Sequence, residues 1–250
     1  GVLNTKKMLI GKTMKTHDDR KELHTGEFSV TTSVVTIIKR RRRRGITMSS
    51  TLLEKRNKFY FPVKDNHFNG EEYQKSHRFH SLGFVNNYGT AIDVGAHVGT
   101  WAVDLVRMFN MTICFEPIKD HRDCLNKNLS EAKNEYKIYD CALGDKYEKE
   151  ISLGYVTEGN SGTASIAAEN AEYTAEMRTL DSFEFENVDY IKVDVEGFEM
   201  QFLKGAAETI KRTKPVINIE IKNNCESFGI SRQDIADYIC NDLGMTCVGK

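Results

Sequence analysis

From Thr90 onward, short apolar runs alternate with amphipathic segments, and this alternation constrains the fold more than any other feature of the sequence. Thr90 to Val94 and Met111 to Phe115 read as buried strands, and Thr100 to Met108 and Lys119 to Leu129 as helices. Strands of this kind linked through helices form a parallel sheet with right-handed crossovers. A third strand is expected at Tyr136 to Ala142. The rhythm then lapses into shorter pieces such as Glu150 to Val156, with polar turns around Asn160 to Gly162. It resumes with a strand at Val188 to Val195, a helix at Met200 to Arg212 and a strand at Pro215 to Ile221. A helix from the N-cap candidate Ser231 and a last strand near Met245 to Val248 follow. The expectation is an α/β fold: a doubly wound, mainly parallel, Rossmann-like sheet with an N-terminal extension.

Residues 1–66 carry no sustained period apart from a strand candidate at Phe28 to Ile38, so they read as the extension and 67–250 as the catalytic domain. A loosely amphipathic helix at Glu71 to Leu82 should pack beside the first strand. Lys39 to Arg44 are six consecutive basic residues, suited either to phosphates or to a solvated linker. The whole chain balances 35 basic against 36 acidic residues, so any attraction to a polyanion must be local. No run approaches the roughly 20 apolar residues of a bilayer span, and nothing at the start resembles a secretory signal. A soluble, cytoplasmic location is expected. The six cysteines show no C-x-x-C pairing and read as buried free thiols in preference to metal ligands or disulfide partners.

Ligands of open α/β sheets gather beyond the carboxyl ends of the strands, so the residues just after each strand matter most. The first such segment is Asp93-Val94-Gly95-Ala96-His97-Val98-Gly99-Thr100. Its glycines allow a sharp turn close to a ligand, and a helix N-terminus at Thr100 would favour an anion. A dinucleotide loop would want glycine where His97 stands. Asp93 instead suits a cationic amino group beside a carboxylate, the amino-acid end of S-adenosylmethionine. About twenty residues on, Glu116 is placed to accept hydrogen bonds from ribose hydroxyls. Asp140, at the end of the third strand, is expected near an adenine amino group, with Ala142 against the ring. Farther along, Lys192 and Asp194 share one strand face, Glu196 follows them, and Glu220 and Lys222 share a face of the next strand. Such ionisable residues form either a functional cluster or internal ion pairs.

The motifs Ile92-Asp93-Val94-Gly95-Ala96-His97-Val98-Gly99, Phe115-Glu116-Pro117, Ala142-Leu143-Gly144, Leu180-Asp181-Ser182 and Ile191 to Glu199 followed by Leu203-Lys204-Gly205-Ala206 occur in order. From about Tyr73 to Ile221 the chain thereby resembles the FkbM-like family of S-adenosylmethionine-dependent methyltransferases. The resemblance implies a class I methyltransferase fold and methyl transfer to an oxygen, with sugars, glycans or natural products as small-molecule acceptors. It leaves the usual seventh strand unaccounted for, so the sheet edge is expected to be shortened or completed by another segment.

Within that frame Asp194 is the expected base or acceptor-orienting group, tuned by Glu196, Glu220 and Lys192, with His97 a secondary candidate. Gly95, Ala96, His97, Gly99 and Thr100 join Asp93, Glu116, Asp140 and Ala142 as the expected cofactor-binding set. Hard oxygen ligands at Asp194 and Glu220 would suit a divalent metal, but too few certain ligands are present to assign one. Two rival readings remain at this level. One is a nucleic-acid 2′-O-methyltransferase using the basic run, and the other a basic-tailed binding protein that keeps the fold without catalysis.

Overall fold

The strands of the central sheet are short, β-branched and apolar, and their alternate residues divide between its two faces. The structure, a computed structural model, describes residues 7–11, 35–36, 53–56, 58–65, 74–166 and 170–248. The chain begins with β1 (Lys7–Gly11), then β2 (Val35–Thr36), β3 (Leu53–Arg56) and β4 (Phe59–Pro62), the last three forming a small antiparallel sheet. Helix α1 (Lys75–Leu82) leads into β5 (Thr90–Val94), α2 (Ala102–Met108), β6 (Met111–Phe115), α3 (Lys119–Asn128) and β7 (Glu135–Tyr139). A second sheet is built from β8 (Cys141–Leu143), β9 (Glu148–Tyr155), β10 (Ala164–Ser165) and β11 (Tyr173–Arg178). The chain then continues through β12 (Val188–Val193), α4 (Glu199–Gly205), α5 (Ala207–Thr213), β13 (Val216–Glu220), α6 (Arg232–Asp237) and β14 (Thr246–Cys247).

The central sheet runs β14-β1-β13-β12-β5-β6-β7, and all its pairings are parallel. Chain order reverses between β5 and β12, which is where the ligand crevice of a doubly wound sheet opens. One face buries Ile92, Val94, Ile113, Ile191, Val193, Ile217 and Ile219 beneath α4 to α6. The opposite face packs Ala91 and Tyr190 against Trp101, Leu105 and Phe109.

Two departures from the expected elements have physical causes. The strand expected at Tyr136 to Ala142 divides at Asp140: β7 is an exposed edge paired only with β6, whereas the fully buried β8 pairs with β11 in the second sheet. The helix expected over Met200 to Arg212 breaks at Ala206, just after Gly205 presses against the backbone of Gly144, leaving no room for a side chain. As expected, the sheet edge is completed by another segment: β1 lies between β13 and β14. Of the strand candidate Phe28 to Ile38, Val35–Thr36 is a strand; residues 28–34 and 37–38, and the basic run Lys39 to Arg44, lie outside the described residues. Helix α1 starts at Lys75, and residues 71–73 likewise lie outside.

Reading every cysteine as a buried thiol needs correction. Cys114, Cys124, Cys141 and Cys225 are buried, but Cys240 is exposed and Cys247 half-buried, with their sulfurs 3.1 Å apart. Among the described residues no helix is long and apolar enough to cross a membrane.

A Cβ on Gly205 would lie 1.8 Å from the Gly144 carbonyl oxygen, so α4 reaches the β8 loop only because this residue is glycine. Gly205→Ala should lower stability by about 1–3 kcal/mol or more through overpacking, read as a reduced urea midpoint. An unchanged midpoint would show that the contact is dispensable.

Candidate active site

At the switch point the loop after β5 crosses the end of β12 so closely that a Cβ on Gly95 would fall 2.0 Å from the Asp194 carbonyl oxygen; Gly95 also has φ +71°. Only glycine meets both conditions. Beneath this loop Lys192 is buried, with Nζ 3.2 Å from Asp93 Oδ1 and donating to the Gly95 carbonyl oxygen at 2.8 Å. Burial pushes the Asp93 carboxyl up against the pull of Lys192. Burial also opposes the charge on Lys192, yet Asp93 and Asp194 hold the ammonium above its usual value. Asp93 is 0% exposed. It therefore stands under the loop as the partner of Lys192 and is not among the residues lining the cavity.

That cavity is about 400 Å³, within the size range of small-molecule sites. Gly95, Ala96, His97 and Thr100 line it from the β5 loop; α2 itself starts later, at Ala102. Gly99 does not line it, and instead packs on Leu125 of α3. Glu116 lines one end and is nearly fully buried. Its Oε2 accepts from the His97 amide at 2.8 Å and its Oε1 from the Ile118 amide at 2.9 Å, with His121 Nδ1 at 3.2 Å. Burial disfavours this carboxylate, but His121 and the Ile118 amide hold it below its usual range. Cys141, Ala142 and Leu143 line the neighbouring wall, whereas Asp140 is exposed and outside it.

Three lining residues had no place in the sequence reading. His97 Nε2 lies 2.6 Å from Ser161 Oγ, which donates in turn to Asp65, and the His97 ring meets His121 edge-on at 4.5 Å. Burial and the neighbouring His121 depress His97 to about 3, so it is neutral near pH 7. Ser161 and Asp65 stand 96 residues apart and carry no local pattern. His121 follows Glu116 by five residues, and that spacing on the helix after an acidic strand end was the available signal.

The other end of the cavity carries Asp194, Glu196 and Lys222. Lys222 Nζ lies 2.5 Å from Glu196 Oε1 and 3.6 Å from both Asp194 Oδ1 and Glu220 Oε1. Asn224 donates to Glu196 Oε2 at 3.0 Å. Burial raises Asp194, but Lys222 and Lys192 outweigh it and hold the acid below its usual range. Burial and the charge of Asp194 push Glu196 up to about 7. Glu220 stands behind the cavity wall, where Gln74 donates to its Oε2 at 2.9 Å and is itself tied to Trp101. Among the described residues no group of three or more His, Cys, Asp and Glu side chains is arranged to hold a metal ion.

A parallel sheet reversing at β5 and β12, with a glycine loop, an acidic β6 end and a charged β12 end around one cavity, defines the class I methyltransferase fold. The family is named by the match of residues 93–244 to the methyltransferase FkbM domain, and the chain belongs to that family. Among solved structures it is similar to the methyltransferase FkbM of Methylobacillus flagellatus KT. Identity there is 18%, covering 64% of this chain and 40% of that one, with a TM-score of 0.45. It is also similar to the precorrin-6y C5,15-methyltransferase of Geobacter metallireducens GS-15, at 10% identity, 72% and 78% coverage, and a TM-score of 0.43. A third likeness is to M. jannaschii TYW2 in complex with AdoMet, at 15% identity, 40% and 49% coverage, and a TM-score of 0.29. Likenesses this distant add nothing to the assignment, which rests on the family match. The chain spans about 40% of the length of the first of these structures. No curated protein matches it.

Removing one partner of a buried ion pair strands the other, so Lys192→Met should cost about 3–5 kcal/mol of stability. Adding Asp93→Leu to that variant should recover part of the loss. Equal and additive losses in a chemical-denaturation cycle would contradict the pairing.

Proposed function

We propose that this chain is an S-adenosylmethionine-dependent O-methyltransferase whose acceptor is a hydroxyl of a sugar, glycan or natural-product-like molecule. The observation that carries the reading is the pair of carboxylates at the β12 end. Asp194 and Glu196 line one cavity, and their environments push their proton affinities apart.

The residues present fit the cofactor. Glu116 engages the Ile118 amide and His121 through Oε1 and the His97 amide through Oε2, and keeps one lone pair, on Oε2, for a ribose hydroxyl. Ala142, Leu143 and Leu153 offer an apolar wall for a base, and the carbonyl oxygens of the Gly95 to His97 loop, whose amides already donate to Phe115 and Glu116, would accept from the amino group. With Asp93 committed to Lys192, the amino group is left to that backbone. When bound, S-adenosylmethionine supplies a methyl group on a positively charged sulfur, a good leaving group, so positioning accounts for much of the acceleration.

At the acceptor end Lys222 keeps Asp194 ionised, and the Asp194 carboxylate orients the acceptor hydroxyl by accepting its hydrogen bond. Glu196 takes the hydroxyl proton as the new oxygen–carbon bond forms. A group titrating near the working pH is suited to that task. Asn224 and Lys222 fix the Glu196 carboxylate while it waits.

Methyl-tritiated S-adenosylmethionine offered with panels of glycosides, polyols and RNA should label a hydroxyl-bearing small molecule or glycan. Labelling of RNA alone would overturn the acceptor class. With the labelled acceptor, Asp194→Asn should lower turnover by about 100-fold with little change in cofactor affinity, since a reacting group displaced by about 1 Å loses roughly 10²-fold in rate. Unaltered turnover would move the chemistry elsewhere. Because Glu196 acts as a base, it must be deprotonated: turnover should rise as the pH passes upward through about 7 and then level off. Glu196→Gln should abolish that limb, and a limb that persisted would exclude this base.

A further inference from the structure

Six cysteines are spread through the chain, and among the described residues the structure brings two of them together at the surface, neither of them lining the cavity. Cys240 lies in the π-helical turn Tyr238–Asp242 that follows α6, and Cys247 in β14, one of the two edge strands of the central sheet. Their sulfurs are 3.1 Å apart. A disulfide needs about 2.05 Å, so each sulfur would move by only about half an ångström to form one. Cys240 is exposed and open to a small reagent, whereas Cys114, Cys124, Cys141 and Cys225 are buried.

We propose that Cys240 and Cys247 form a reversible dithiol–disulfide site whose reactant is a low-molecular-weight disulfide such as oxidised glutathione. Cys240, as its thiolate, attacks one sulfur of the reagent, forming a mixed disulfide and expelling one glutathione thiolate. Cys247 then gives up its proton and attacks the Cys240 sulfur, expelling the second glutathione and closing the intrachain bond. The two protein thiols lose two electrons and two protons, and the reagent leaves as two glutathione thiols. The order of attack follows from exposure. It is reinforced at Cys247, where burial and the hydrogen bond with Cys240 push the thiol up to about 11 and make it the poorer first nucleophile.

The bond would have a structural effect. β14 contributes two residues, Thr246 and Cys247, paired with Lys7 and Met8 of β1. Tying Cys247 to the turn after α6 clasps that short edge strand to the helix behind it, and so holds the outer side of β1.

The full chain, equilibrated with oxidised glutathione and examined by intact and peptide mass spectrometry, tests this directly. Both cysteines fall in one tryptic peptide, Gln233 to Lys250, because no Lys or Arg separates them. In the wild type that peptide should become two hydrogens lighter, refuse an alkylating reagent, and regain two alkylation sites after dithiothreitol. In Cys247→Ser the reaction should stop at the first step and accumulate a glutathione adduct on Cys240. In Cys240→Ser it should be at least tenfold slower. On oxidation, amide exchange at Thr246 and Cys247 should slow at least tenfold. The proposal is overturned if the wild type accumulates the glutathione adduct, forms disulfide-linked dimers, or leaves the peptide fully alkylatable.

Discussion

The Lys192 ammonium is the interaction on which the remainder of the site depends. It sits in the strand beside Asp93, in direct parallel register with it, and is capped by the Gly95 carbonyl. A lone charge at that depth would be expelled or neutralised, so the pair holds β5 and β12 together where the sheet changes direction. The same contact fixes the loop after β5 against the end of β12. With the loop fixed, the His97 amide is aimed at Glu116 on one side, and Asp194 emerges on the other.

From that anchor the cavity acquires two ends of different character. At the Glu116 end, backbone amides and His121 stabilise one carboxylate, while His97 stays neutral. At the Lys222 end, one cation is shared among three acids, and the sharing is unequal. Asp194 is held ionised while Glu196 is lifted toward neutral pH. Two ammoniums, Lys222 and Lys192, hold Asp194 ionised, and the resulting charge, together with burial, lifts Glu196, so neighbouring acids acquire different roles.

Much of this was legible in the sequence because it is encoded locally. The strands β5 and β6 follow from short, mainly apolar runs, and the turn after β5 from glycines at the required spacing. The capping box at Ser231, in which Asp234 returns the hydrogen bond, likewise sits within four residues. What was hidden depends on distant parts of the chain. Alternation puts Asp93 and Lys192 on particular faces but does not say that they face each other rather than a ligand; that needs the register of β5 on β12. The His97–Ser161–Asp65 chain joins three segments with no common pattern. The β7–β8 division at Asp140 reflects a change of sheet, decided by β11, and β1 completes an edge far along the chain from where its sequence begins. Cysteine burial was misjudged for a similar reason, since the apolar setting around Cys240 and Cys247 belongs to an edge and not to the core.

On the reading proposed above, the cavity beside Glu116 takes the methyl donor. Isothermal calorimetry with S-adenosylhomocysteine measures this most directly. One molecule should bind per chain, with binding weakened in Glu116→Ala by about 1–3 kcal/mol through loss of a charge-assisted hydrogen bond to the ribose. Absence of binding to the wild-type chain, or equal affinity in Glu116→Ala, would contradict it.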